Sequence, residues 1–237
     1  MGSCLSKVTA PQSILEKNDG GLPEFNSTYT QDKFLGEGEF GQVKLCINKK
    51  TNQPYAVKEL CKGAQYKDNT LYSPVKPDIL LRECNILREL QGEHFTLKLV
   101  NVYESPSSIL LVLDYYDGGE MMSWITNTSN DINVKTISRI TYQLLDAINH
   151  CAKHNVIHRD IKPQNVMFVT SSQDSKLRLV DFGGSLLLDK NVSKDDIQTE
   201  FFGSGFFVSP EMFQHTYDSK TDVWSLGVTL YVLVSML

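Results

Sequence analysis

The apolar pattern of this chain changes period once, near residue 117, and that change narrows the folds open to it. Before it, short apolar runs at Lys33–Gly36, Gln42–Asn48 and Pro54–Leu60 are split by a glycine-rich turn and an Asn-Gln turn. Such runs are antiparallel strands. Two further strands are expected at about 97–103 and 109–115. A helix precedes them over 77–90, where Leu80, Glu83, Leu87 and Leu90 recur at helical spacing behind Pro77. After the turn signal Asp117-Gly118-Gly119, helical spacing takes over at 120–126 and 135–154, broken by short strands near 166–168 and 177–180. Strands first and helices afterwards make an α+β protein. The spacing predicts a leader over 1–28, a β-rich part over 29–116 and a helical part over 117–237.

The two ends carry their own signals. Residues 1–28 mix Ser, Pro, Asn and Gly without periodicity and read as a flexible leader. It opens Met1-Gly2-Ser3-Cys4-Leu5-Ser6-Lys7, which fits the pattern for myristoylation of Gly2 once Met1 is removed. Cys4 is placed for a second, thioester-linked acyl chain. A charged segment followed by an apolar one is missing there, so a secretory signal is not expected. Val223 to Leu237 is apolar almost throughout. As a helix it spans about 22 Å, short of the roughly 30 Å hydrocarbon core of a bilayer, and reads as a buried core helix. Net charge is −5, which disfavours a non-specific nucleic-acid binder. The five cysteines are scattered and none form a C-x-x-C pair, a pattern of reduced intracellular thiols and a cytoplasmic protein.

The chemistry lies in four stretches. Gly36-Glu37-Gly38-Glu39-Phe40-Gly41-Gln42-Val43 spaces its glycines so that backbone can approach a phosphate; a plain hairpin turn is the competing reading. Strands rather than a strand and a helix flank it, which excludes a dinucleotide-binding turn. Lys58, within Tyr55-Ala56-Val57-Lys58, is costly on a half-buried strand unless a phosphate or a carboxylate meets it. Glu83, on the Leu80 and Leu87 side of its helix, is a candidate partner, against the alternative of a solvent-facing side chain. Asp160, Asn165 and Asp181 stand on loops in His158-Arg159-Asp160-Ile161-Lys162-Pro163-Gln164-Asn165 and Asp181-Phe182-Gly183. One acid and an amide suit a hard cation such as Mg²⁺, which leaves the other acid to orient a hydroxyl.

In that order and spacing, these stretches resemble a eukaryotic-type protein kinase domain from about residue 29 to the chain end. The resemblance implies a two-lobe fold, with a small antiparallel sheet lobe and a mainly helical lobe. It implies Mg-ATP as phosphoryl donor and protein Ser or Thr hydroxyls as acceptors. Leu35, Gly36, Gly38 and Gly41 would cover the nucleotide phosphates. Lys58 would hold phosphate and pair with Glu83. Asp160 would orient the acceptor hydroxyl, and Asn165 and Asp181 would hold Mg²⁺. Val43, Ala56 and Met167 would enclose adenine, with Leu113 as gatekeeper and Asp114 to Tyr116 as hinge. Glu120 would contact ribose and favour substrates with basic residues near the target. Lys162 resembles the serine/threonine class, and Ser204, in Gly203-Ser204-Gly205-Phe206-Phe207-Val208-Ser209-Pro210-Glu211, would stand for the Thr that bridges Asp160 and Lys162. Arg159 would meet negative charge on the activation segment, either a phosphate on Ser193 or Thr199 or the acids Asp195, Asp196 and Glu200.

The catalytic region and Asp222 to Val228 are similar to the calcium/calmodulin-dependent group and to calcium-dependent kinases of plants and protists. No D-x-[DN]-x-[DN]-G calcium loop occurs in the chain. The resemblance stops inside a long helix, so the helical lobe is read as truncated, with the Arg expected opposite Glu211 and neighbours for Leu230, Tyr231 and Leu233 absent. The competing expectation is a weakly or non-catalytic nucleotide-binding or scaffold module held at the cytoplasmic face of a membrane.

Overall fold

The computed structural model describes residues 21–38, 41–62, 65–67, 70–72, 77–127, 132–172, 174–188 and 202–235. Gly2, Cys4, Ser193, Thr199, Asp195, Asp196 and Glu200 lie outside them. The chain divides into two compact units. Of the described residues, one unit holds those from Gly21 to Gln91 together with Leu97–Tyr115; the other holds Gly92–Thr96 and those from Tyr116 onward.

The first unit is built on a five-stranded antiparallel sheet. Its elements run α1 (Leu22–Thr28), β1 (Tyr29–Gly38), β2 (Gly41–Asn48), β3 (Pro54–Cys61), β4 (Gln65–Lys67), β5 (Thr70–Tyr72), α2 (Pro77–Leu90), β6 (Leu99–Glu104) and β7 (Ser108–Asp114). Strand order is β1-β2-β3-β7-β6, and β4 and β5 pair separately. Alternation along β3 splits the sheet into two faces. Val57 joins Cys46, Leu110 and Val112 in a cluster with Phe25, Tyr29 and Tyr103. The opposite face carries Ala56 and Lys58, and the Lys58–Glu83 pair ties α2 to it.

That cluster corrects the reading of 1–28 as leader throughout. Residues 22–28 form α1, with Pro23 in its first turn and Phe25 fully buried. Phe25 stacks on Tyr29 at 5.4 Å and meets Tyr103 edge-on at 5.4 Å. A seven-residue helix has too few turns to show a period, and such a helix forms only because packing supports it.

The second unit contains α3 (Met121–Thr126), α4 (Val134–Lys153), β8 (Val156–Ile157), β9 (Val166–Phe168), β10 (Leu177–Leu179), β11 (Leu186–Leu187), α5 (Pro210–Phe213) and α6 (Lys220–Val234). Two short antiparallel pairs, β9 with β10 and β8 with β11, close the loops that matter chemically. Asn133 caps α4 by accepting from the Thr136 amide. Gly92–Thr96 belongs to this unit because Leu179 N–H donates to Phe95 C=O at 2.8 Å and His94 Nδ1 lies 2.9 Å from Asp146 Oδ2. The expected boundary is 116/117; in the structure Tyr116 and the 92–96 excursion group with this unit.

The apolar helix near the end buries one mixed face, which also holds Leu226 and Leu233, where the sequence predicts a core helix buried all round. Thr221, Asp222, Ser225 and Thr229 of α6 are buried, while Val223, Trp224, Tyr231 and Val234 are exposed. Of the three residues expected to lack neighbours, Leu233 is buried, Leu230 half-buried and Tyr231 exposed. Polar groups win the inner face because each has a partner: Ser225 Oγ donates to Phe207 C=O at 2.7 Å, and Ser209 and Thr221 hydroxyls lie 2.7 Å apart. Among the described residues no helix is long and apolar enough to cross a membrane.

Candidate active site

In the first unit the sheet brings Val43 opposite Lys58 and Ala56 opposite Leu113, with Tyr55 opposite Asp114. Val43, Ala56 and Lys58 thus share one face. Lys58 Nζ lies 2.7 Å from Glu83 Oε1, and both side chains are buried. Gly36 pairs with Val43 and Gly38 with Gly41 across the β1–β2 hairpin. Gly41 is required by the fold itself: its φ is +153°, and a β-carbon there would meet Glu59 C=O at 1.8 Å. Gly36 is not, since a β-carbon there meets nothing within 4 Å. Leu35 is exposed at a register shift of β1, and Leu113 is buried on β7.

In the second unit three side chains converge on Asp160. Ser204 Oγ donates to Asp160 Oδ1 at 2.8 Å. Asn165 Nδ2 donates to Asp160 Oδ2 at 2.8 Å, and Lys162 Nζ lies 2.8 Å from the same oxygen. Lys162 Nζ also donates to Ser204 Oγ at 2.6 Å, so Ser204 touches both Asp160 and Lys162. Val180 N–H donates to Asn165 C=O at 2.9 Å, which sets Asp181 beside the Asn165 turn. Asp181 has φ +61° and Arg159 φ +69°, left-handed backbone that a non-glycine residue adopts only under constraint.

The constraint comes from two buried residues that sequence reasoning passed over. His158 Nδ1 accepts from Asp160 N–H at 3.3 Å, so its Nε2 carries the proton donated to Val180 C=O at 3.0 Å. One imidazole therefore clamps the Asp160 loop to the Asp181 loop, and its ring meets Phe182 at 4.8 Å. Asp222 of α6 accepts from His158 N–H at 2.8 Å and Arg159 N–H at 2.9 Å. Burial pushes the Asp222 carboxyl above its ordinary value, opposed by the nearby His158 and Arg159. A signal for Asp222 existed: an acid heading an apolar run is costly unless something buried meets it.

The donor set fits a cation that arrives with its own oxygens. Asn165 spends its amide N–H groups on Asp160, at 2.7 Å to the carbonyl and 2.8 Å to the carboxylate, which leaves Oδ1 as its ligating atom. Among the described residues no group of three or more His, Cys, Asp or Glu could hold a metal ion. An amide oxygen and one carboxylate are what Mg²⁺ takes when phosphates and water complete its shell. Met167 pairs with Arg178, and Glu120, the N-cap of α3, bridges to Met167. Tyr116 is buried at the start of this unit.

Comparison with known proteins gives the same result from the whole chain. The protein kinase domain family matches residues 29–236. Calcium-dependent protein kinase 4 of Plasmodium berghei (strain Anka) is 35% identical over 214 residues, covering 89% of this chain and 38% of that protein. Calcium-dependent protein kinase 1 of Arabidopsis thaliana is 30% identical over 224 residues, covering 94% of this chain and 34% of that protein. Calcium-dependent protein kinase 27 of Arabidopsis thaliana is 29% identical over 237 residues, covering 98% and 46%. The chain spans between a third and a half of the length of these relatives. With the Asp160 cluster in one unit, the Lys58–Glu83 pair in the other and a match that runs across both, this chain belongs to the protein kinase domain family.

Proposed function

We propose that this chain carries the catalytic machinery of a protein serine/threonine kinase, moving the γ-phosphoryl of Mg-ATP to a Ser or Thr hydroxyl on a protein substrate. The observation that carries the reading is the Asp160 carboxylate with three donors aimed at it. A carboxylate offers about four acceptor positions. Asn165 and Lys162 occupy two on Oδ2 and Ser204 one on Oδ1, which leaves Oδ1 one position for a substrate hydroxyl. Asp160 orients that hydroxyl toward the phosphoryl group. Lys162, 2.8 Å from Asp160, sets positive charge where the transferred group gathers negative charge. Asn165 and Asp181 would hold Mg²⁺, which neutralises phosphate charge when bound. Lys58, kept straight by Glu83, binds phosphate oxygens, and the open space around Gly36 leaves backbone free to approach them. By likeness to the family, Val43, Ala56, Leu113 and Met167 would contact the adenine, Asp114 to Tyr116 its polar edge, and Glu120 the ribose and a basic residue of the substrate. Positioning and charge supply the rate, without a covalent enzyme intermediate. Gly2 and Cys4 would attach the chain to the cytoplasmic face of a membrane.

The test is phosphate transfer from Mg-ATP to a basic Ser-containing peptide by the wild-type chain and by Asp160→Asn. Loss of about a hundredfold or more in kcat is expected, the scale on which a positioned acid or base acts. Equal rates would leave the chain as a nucleotide-binding or scaffold module. Lys58→Met should also abolish turnover, but it takes the lysine away from a buried carboxylate, so Lys58→Met/Glu83→Met keeps the loss of function separable from unfolding.

A further inference from the structure

Arg159 precedes the catalytic Asp and is only 7% exposed, so its guanidinium needs partners inside the fold. Nε donates to Gly184 C=O at 2.6 Å and Nη1 to Tyr217 Oη at 3.2 Å. The ring of Phe202 lies with its centroid 5.1 Å from the guanidinium carbon, within cation–π range. Phe202 and Gly184 also touch each other. A β-carbon on Gly184 would fall 1.8 Å from Phe202 Cε1 and 2.2 Å from Cζ. The ring therefore sits against bare backbone, with its Cδ1–Cε1–Cζ side where a β-carbon would be, and any larger residue at 184 expels it. The next two residues continue along the same loop. Gly203 packs so closely on Arg159 C=O that a β-carbon would come within 2.7 Å, and Ser204 donates to Asp160. Three consecutive residues thus grip Arg159 and Asp160 in turn, with Phe202 as the bulky end of the grip.

We propose that Phe202, seated on Gly184, is a positioning residue for phosphoryl transfer: it fixes Arg159 by its ring and so sets the Ser204 hydroxyl against Asp160. The proposal rests on the kinase reading above. Its signature is a pair that fails together. Removing the ring loosens the guanidinium and lets the 202–204 segment drift from Asp160. A methyl group at 184 produces the same drift by pushing the ring away.

The test compares the full chain with Phe202→Ala, Phe202→Tyr, Gly184→Ala and Gly184→Ala/Phe202→Ala, measuring kcat, both KM values and the thermal midpoint. Phe202→Ala and Gly184→Ala should each lower kcat about tenfold while the KM for ATP stays within about twofold. Phe202→Tyr, which keeps the ring, should hold kcat near wild type. The double variant should lose no more than the worse single one, because both act on one contact. A ring that serves only packing would lower the midpoint without separating kcat from KM. Wild-type kcat in Phe202→Ala, or losses that multiply in the double variant, overturns the proposal. Should Phe202→Ala not fold, wild-type kcat in Gly184→Ala overturns it alone. Absence of transfer by the wild-type chain counts against the kinase reading instead; the same four variants are then read in thermal midpoints, where additive shifts overturn the contact.

Discussion

Asp222 shows how one buried acid organises a site it never enters. It is 1% exposed and accepts two backbone N–H bonds, from His158 and Arg159. Those are the donors that hold Arg159 in left-handed backbone and deliver Asp160 to its place. An Asn at this position keeps one acceptor and turns an NH₂ toward the second donor. Asp222→Asn should therefore cost about 1–3 kcal/mol in urea unfolding, the penalty for a buried group left unsatisfied. The pH dependence has a definite sign. Burial holds the folded carboxyl above its unfolded value, so its stabilising share is complete below the unfolded value of about 3.9 and is lost as pH rises through the folded one. The advantage of wild type over Asp222→Asn should shrink as pH is raised through the interval above about pH 4. An advantage that grows over that interval would rule out burial as the dominant influence.

At the scale of elements, legibility followed the length of the repeat. The strands over 41–48 and 54–61 and the helices over 77–90 and 134–153 are long enough for period 2 or 3.6 to show, and they stand close to where the pattern puts them. The short strands β9 and β10 also stand where they were expected, but their pairing, like that of β8 with β11, is set by loop geometry that no period encodes. Helix α6 was legible as a helix and not in its facing, because apolarity on every side hides which side is buried. What decides its facing is the partners of Asp222, Ser225 and Thr229, which come from distant sequence. The same limit hid α1: its one deeply buried residue, Phe25, gains meaning only from Tyr29 and Tyr103. Replacing it tests whether α1 belongs to the sheet or merely rests near it. Phe25→Ala should cost about 3–5 kcal/mol, as for a large aromatic removed from a core. Hydrogen exchange should quicken in β1 and β6. A cost under about 1 kcal/mol would return residues 22–28 to the status of a leader.

Across the whole molecule, charge decides what a membrane anchor must be made of. The chain carries −5 overall, so an anionic leaflet repels it. Between Gly2 and Leu15 the only charged side chain is Lys7, and no polybasic patch offers a second signal. One myristoyl chain binds bilayers with an association constant of about 10⁴ M⁻¹, reversible on its own. Durable attachment of the kind proposed would therefore require a second acyl chain, for which Cys4 is the thiol beside Gly2. Three forms separate the contributions when produced in a eukaryotic cell extract and sedimented with phosphatidylcholine vesicles. Wild type should carry both acyl masses and pellet. Cys4→Ser should carry myristate alone and wash off. Gly2→Ala should stay in solution, and adding phosphatidylserine should weaken rather than strengthen the binding of the singly acylated form. Pelleting of Gly2→Ala at the wild-type level, or a wild-type chain without acyl mass, would remove the lipid anchor and leave the protein chemistry at Asp160 untouched.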